Sequence, residues 1–233
     1  MLALGGFGTD NTVNSMEQEK LTQSVRPKKT YRSGATLFRR VGRIGWKKSD
    51  HYTYTFAFPA LRRWLLARIP QRQRILSIGC GTGELEKLLE PRARLIVGAD
   101  LLLEMVRAAR RHKVQNLVQA NSHFLPFAAR AFDTVILPET LGYIDPEVTF
   151  REVKRVLKKG GLFLITTYPV HLVAHSVYKK RSADEVARLL EYAGFSSIGK
   201  RFLLLKQGTL QEVEAEGSCS LLYLQARLPL PRR

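Results

Sequence analysis

The chain has 233 residues, 45% hydrophobic and 25% charged, a balance that suits one globular domain with a decorated end. No stretch approaches the ~18 uninterrupted apolar residues of a membrane span, and the opening MLALGGFGTDNTVNS lacks the basic start and apolar core of a secretory signal. The net charge of +18 attracts phosphates on RNA, anionic lipid or a small anionic substrate, and also occurs in proteins that bind none of these.

Residues 1–35 are polar and basic without apolar periodicity and read as a flexible segment, within which Met16 offers an alternative start. From Thr36 to Lys48, Leu37, Val41 and Ile44 recur at helical spacing among basic residues, although Gly42 and Gly45 weaken the helix. Next comes HYTYTFAFPALRRWLLARIP, an aromatic stretch leading into an amphipathic helix. Pro59 is expected at its first turn and Pro70 just past its end. Residues 36–72 are assigned as a helical cover, and residues 73–229 as the main domain. From Arg74 on, apolar runs alternate with helical patterns. The runs are RILSI, ARLIVGA, NLVQA, FDTVIL, GLFLITT, RFLLL and SLLYLQARL; the helices fall at Glu84–Leu89, Leu103–Arg111, Phe150–Leu157 and Ala183–Tyr192. Leu85, Leu88 and Leu89 are the apolar positions of the first helix, and Ser182 with Glu185 has capping-box spacing before the last. Continuous apolar strands separated by helices imply an α/β fold with a parallel sheet covered on both faces. The last two runs have no helix between them and are expected to pair antiparallel at the sheet edge.

The chemistry concentrates at ILSIGCGTGELEKL. Gly79, Gly81 and Gly83 lie between a strand and a helix, where glycine-rich turns hold nucleotide-like ligands. Asp100 ends the second strand, 17 residues after Gly83, placed to accept both hydroxyls of a ribose. Asn121 and Ser122 follow the third strand, where they can hydrogen-bond an adenine edge. The fourth strand ends in LPET, where the sheet order is expected to reverse and ligands bind. Cys80 and Cys219 are the only cysteines. A disulfide at Cys80 would hinder the glycine turn, so a reducing, cytoplasmic setting is expected, with anionic surfaces open to peripheral contact.

These segments together resemble the class I S-adenosylmethionine-dependent methyltransferases, in particular the small group with LDLGCGTG, GVDLS…ML, LPF…FD and RVLKPGG. This chain reads LSIGCGTG, GADLLLEMV, LPFAARAFD and RVLKKGG, and SADEVARLLEYAGF is similar to the family's late helix. The resemblance implies a Rossmann-like, mostly parallel seven-stranded sheet of order 3-2-1-4-5-7-6 with an antiparallel last strand. It also implies S-adenosyl-L-methionine as cofactor. By the same carry-over, Gly79, Cys80, Gly81 and Gly83 lie against its amino-acid part, Asp100 holds the ribose and Leu101 flanks the adenine. Asn121 and Ser122 sit at the adenine's polar edge, and Pro138 and Glu139 beside the methyl. Two departures stand out. Ser77 and Asn121 occupy positions that are often acidic in the family, and Ser77 cannot supply that charge.

An activated methyl needs little more than an aligned nucleophile, plus a base where the acceptor must lose a proton. Candidate catalytic residues are Glu139, His171 and Tyr168; candidate pocket residues are His51, Tyr52, Tyr54, Tyr143 and His175. His171 and His175 share a helical face but lack an acidic or cysteine ligand nearby, so no metal is expected. Neither an Asn/Asp-Pro-Pro-aromatic loop nor a cysteine follows the fourth strand, which argues against exocyclic-amine base chemistry and cytosine C5 chemistry. The leading expectation is in-line methyl transfer to an O, N or C atom of a small molecule or lipid. Its rivals are an RNA methyltransferase using the basic N-terminal face and a non-catalytic, partner-binding version of the fold.

Overall fold

The computed structural model describes residues 36, 39, 40, 43, 52–171, 178–206 and 209–230, with residues 52–58 described in backbone only. The elements alternate as the apolar pattern predicts. They are α1 (Tyr52–Leu66), β1 (Arg74–Ile78), α2 (Glu84–Leu89), β2 (Leu95–Asp100), α3 (Leu103–Arg111), β3 (Leu117–Gln119), β4 (Phe132–Pro138), α4 (Pro146–Val156), β5 (Leu157–Thr167), α5 (Ala183–Tyr192), β6 (Ser196–Lys206), β7 (Thr209–Val213) and β8 (Leu221–Arg227). Thr36, Arg39, Arg40 and Arg43 are also helical.

Local chemistry sets the boundaries. At α5, Ser182 Oγ accepts from the Glu185 N–H at 3.2 Å, the expected cap. Helix α4 begins at Pro146 rather than Phe150. Asp145 Oδ1 accepts from Glu147 N at 3.0 Å and Val148 N at 3.3 Å, and proline at the first helical position costs no hydrogen bond. Pro59 lies inside α1 and not in its first turn, because the helix already runs from Tyr52. In α2 the buried positions are Leu85, Glu86 and Leu89, while Leu88 is 43% exposed. The inward face is thus rotated by one residue from the expected one and includes a carboxylate.

The sheet has eight strands in the order β3-β2-β1-β4-β5-β8-β6-β7, one more than the seven expected. β1, β2, β3, β4 and β5 are joined in parallel, and β8 inserts antiparallel between β5 and β6. The extra strand arises because the link after β6, Thr-Leu-Gln-Glu-Val, folds back on β6 from Phe202↔Val213 to Lys206↔Thr209. Each central strand buries both faces. Leu76, Val135, Leu137, Phe163 and Ile165 point to the layer holding Phe150 of α4 and Val186 of α5. Ile75, Ile136, Leu162 and Leu164 point to the layer holding Leu61 and Leu65 of α1 and Leu85 and Leu89 of α2. This arrangement brings the C-terminal ends of β1, β2 and β4 to one edge, where the glycine turn, Asp100 and Glu139 lie.

Phe163 is fully buried, with ring centroids 5.3 Å from Phe150 and 5.4 Å from Phe195. Phe163→Ala is expected to lower the unfolding free energy by about 3–5 kcal/mol, as read by denaturant titration. A loss below about 1 kcal/mol would mean the site collapses around the missing ring.

Candidate active site

Three left-handed glycines make the turn after β1, with φ of +76° at Gly79, +56° at Gly81 and +83° at Gly83. Two of them are packed. A Cβ on Gly79 would sit 2.0 Å from Thr140 Oγ1, and one on Gly83 would sit 2.6 Å from Val114 and 2.8 Å from Ala109. Gly81 differs, since a Cβ there would meet nothing within 4 Å. At this position the backbone faces open space, as a ligand cradle requires. The N–H groups of Gly79 and Cys80 donate to Ala99 O at 2.8 and 3.0 Å. Burial pushes the Cys80 thiol well up, with the Glu86 and Asp100 carboxylates adding to the effect.

Asp100 ties the turn to β2. One carboxylate oxygen accepts from Gly81 N at 3.0 Å and the other from Leu102 N at 2.9 Å. Each oxygen keeps a second lone pair, which suits a pair of hydroxyls. Burial raises its carboxyl, and the backbone donors oppose the rise. Leu101 beside it is 60% exposed and Phe124 is 77% exposed. Asn121 Oδ1 accepts from His123 N at 2.9 Å, and the buried Ser122 hydroxyl pairs with Thr149 Oγ1 at 3.1 Å.

Beyond β4 the backbone turns sharply. Glu139 has φ +54°, a region an L side chain rarely occupies, and its N–H donates to Thr166 O at 2.9 Å. Its side chain is buried, and neither carboxylate oxygen has a well-formed hydrogen bond. The hydroxyls of Thr166 and Tyr168 lie next to it, and burial lifts its carboxyl to about 7. Tyr178 gathers the aromatics: its ring centroid is 4.9 Å from Tyr143 and 5.9 Å from Tyr168, and its hydroxyl bonds Thr167 Oγ1. Burial also raises all three phenols, Tyr178 to about 12, with the Glu139 charge contributing to each. Thr140 joins this cluster to the glycine turn, since its hydroxyl donates to Pro138 O at 2.9 Å and reaches Ile78 O at 3.4 Å.

The structure thus brings Gly79, Cys80, Gly81, Gly83 and Asp100 together after β1 and β2, and Pro138, Glu139, Tyr143 and Tyr168 together after β4 and β5. His171 lies exposed in the turn after β5. His51 and His175 lie outside the described residues, and Tyr52 and Tyr54 are placed only as backbone positions of α1. Reading the sequence missed Thr140, which no motif singles out, and Glu86. The side chain of Glu86 is fully buried with the equally buried Ser77 hydroxyl next to it, and burial lifts its carboxyl to about 7.

Residues 76–165 match the family described as "Methyltransferase domain". Over these residues the chain is similar to a methyltransferase domain. The domain is 32% identical, over 54% of this chain and 47% of the relative, to the malonyl-[acyl-carrier protein] O-methyltransferase of Legionella pneumophila. The chain spans about half or less of the length of the first curated relatives it matches. Its fold is shared with a S-adenosylmethionine-dependent methyltransferase of Thermotoga maritima, at TM-score 0.69 and 20% identity over 82% of this chain and 98% of that one. It is also shared with the phosphoethanolamine N-methyltransferase 2 of Haemonchus contortus, solved with S-adenosyl-L-methionine, at TM-score 0.60 and 18% identity over 73% of this chain and 52% of that one. S-adenosyl-L-methionine is the cofactor of this family. Among the described residues of the methyltransferase domain and its flanks, no helix is long and apolar enough to cross a membrane.

The Glu139 carboxyl rises from 4.5 to about 7 on folding, so the folded protein holds this proton more tightly than the unfolded chain. Its contribution to stability is complete below pH ~4.5 and is lost as the pH rises through 7. Glu139→Gln, which cannot ionise, is expected to match wild type near pH 4.5 and to exceed it by on the order of 3 kcal/mol at pH 8. Denaturant unfolding at the two pH values checks this, and a difference that does not change with pH would mean Glu139 ionises freely.

Proposed function

We propose that the chain is an S-adenosylmethionine-dependent methyltransferase acting on a small acceptor, either a small molecule or the reacting end of a lipid. The observation that carries this reading is the pairing of an open glycine cradle with a buried, strained carboxylate one strand away. The residues present suit the cofactor. Gly81 leaves room where a side chain would block an amino-acid tail, and Asp100 has lone pairs left for ribose hydroxyls. Leu101 supplies an apolar wall for adenine, with Asn121 and Ser122 at its edge and Pro138 toward the methyl. When bound, the cofactor supplies a methyl carbon already activated by its sulfonium.

The remaining work falls to the protein's own side chains. The acceptor's lone pair must approach the methyl carbon opposite the C–S bond, and this alignment supplies most of the acceleration. Glu139, held neutral-to-anionic near pH 7 by burial, takes the proton that a nitrogen or hydroxyl acceptor must shed. Tyr143, Tyr168 and Tyr178 shape the acceptor side and exclude water. Residues 36–72 cover the cleft in this reading. Arg39 of that segment reaches Glu104 at 3.7 Å at the start of α3, beside Asp100, which supports such a placement. His51, Tyr52, Tyr54, His171 and His175 are assigned to the acceptor's surroundings on their positions in the chain.

Calorimetry with S-adenosylmethionine tests the donor half. Wild type is expected to bind, and a folded Asp100→Ala to bind at least ~30-fold more weakly, about 2 kcal/mol for lost charge-assisted hydrogen bonds. No heat from either protein would sink the reading. For the acceptor half, Glu139→Gln is expected to keep donor affinity and to lose ~10²–10³-fold in methyl transfer across a panel of amine and hydroxyl acceptors, read as S-adenosylhomocysteine release. The net charge of +18 keeps RNA as the competing acceptor. Tight binding of polyuridylate that collapses between 50 and 200 mM salt, by roughly 10³-fold or more, would move the assignment there.

A further inference from the structure

The side chains around Glu139 point to what is methylated. Tyr143 comes from the short helical turn Leu141–Tyr143, Thr166 and Thr167 from the end of β5, Tyr168 from just beyond it and Tyr178 from the segment before α5. The Tyr178 ring presses on Gly142, where an added Cβ would meet its carbons at 2.4 Å, and its hydroxyl bonds Thr167 Oγ1. Lys179 N–H donates to Gly142 O at 2.8 Å and closes this contact. Tyr143 and Tyr168 meet Tyr178 edge-on, at interplanar angles of 86° and 67°. Tyr178 is thus buried and fixed, while Tyr143 and Tyr168 remain partly exposed.

The groups that act on the Glu139 carboxylate are neutral. The hydroxyls of Thr166 and Tyr168 lie against it. Burial, with the Glu139 charge adding to it, pushes the phenols of Tyr143, Tyr168 and Tyr178 up, so they stay protonated. The Arg181 guanidinium, which also reaches this region, goes to Leu141 O and Lys179 O at 3.5 Å and to Glu185 at 3.7 Å. A buried carboxylate among hydroxyls and aromatic rings is relieved by an arriving cation, and phenol rings attract an ammonium. A hydroxyl acceptor would leave the charge uncompensated, and a phosphate-bearing one would be repelled.

We propose that this is an ammonium site: the methyl acceptor is a small amine that enters as its cation, with Glu139 as counter-ion and Tyr143, Tyr168 and Tyr178 as its aromatic surround. This deepens the small-acceptor reading and rests on it. The bound ammonium passes one proton to a Glu139 oxygen. The freed nitrogen lone pair forms an N–C bond with the methyl carbon while the C–S electron pair stays on sulfur. The products are a methylated ammonium, a thioether and a neutral Glu139, which returns its proton to solvent. Selectivity is local, because in a chain of net charge +18 the long-range field favours anions and only contact with this pocket holds a cation.

The test uses the full chain and two acceptors of one shape, isopentylamine and isopentyl alcohol. Affinity is read by calorimetry on the chain loaded with S-adenosylhomocysteine, and rate as S-adenosylhomocysteine release from S-adenosylmethionine. At pH 8 wild type is expected to bind the amine about tenfold more tightly than the alcohol and to methylate it about tenfold faster or more. The binding preference should shrink as the pH falls through about 7, where Glu139 takes up a proton while the amine stays charged. Glu139→Gln is expected to abolish the preference and leave the alcohol's affinity unchanged. Tyr143→Phe is expected to keep the preference and Tyr143→Leu to cut it about threefold, which separates the ring from its hydroxyl. An alcohol bound or methylated as well as the amine by wild type would overturn the proposal, a result that needs no variant to fold. So would a preference that survives in Glu139→Gln, or a wild type that binds S-adenosylhomocysteine but neither acceptor. No heat from S-adenosylhomocysteine itself would instead sink the donor-binding reading.

Discussion

The hydrogen bond from Gly81 N–H to the Asp100 carboxylate is the interaction on which the site depends. A turn with left-handed glycines at three alternate positions has a large conformational entropy to lose. The Asp100 carboxylate, anchored at its other oxygen by Leu102 N–H, fixes the middle of that turn to the neighbouring strand. Thr140 and the Val114–Ala109 surface press on its two ends, at Gly79 and Gly83. The outcome is a rigid arch whose central residue faces open space. Remove the tie, and the arch loses a contact that holds Gly81 in place without filling the space around it.

Two carboxylates near that arch run against ordinary economy. Glu86 and Glu139 are both buried, and burial lifts each to about 7. A core optimised for stability alone would replace such groups with apolar side chains. Glu86 lies in the helix that follows the glycine turn and Glu139 directly after β4, the strand that pairs with β1. Their cost therefore falls in the place where a bound, partly cationic ligand with a transferable group would offset it. The positive φ at Glu139 adds strain to the same position. Strain and buried charge at one corner of an otherwise well-packed sheet are the pattern of a site kept for function.

The fold was largely legible because its signal is periodic. Seven apolar runs announced seven strands; continuous apolar character separated by helices gave the first five their parallel sense, and the missing helix between the last two gave their antiparallel pairing. The eighth, β7, was hidden because Thr-Leu-Gln-Glu-Val has only two apolar residues and reads as a link. It becomes a strand because β6 offers it an open edge. The start of α4 was misplaced for a similar reason: the apolar stripe begins at Phe150, but the backbone obeys Asp145 and Pro146. In the site, the glycines and Asp100 were visible as residue types at fixed spacing. Glu86 was not, since its burial depends on how far the turn rotates α2. That rotation puts Leu88 outside and a glutamate inside, against the hydrophobic pattern.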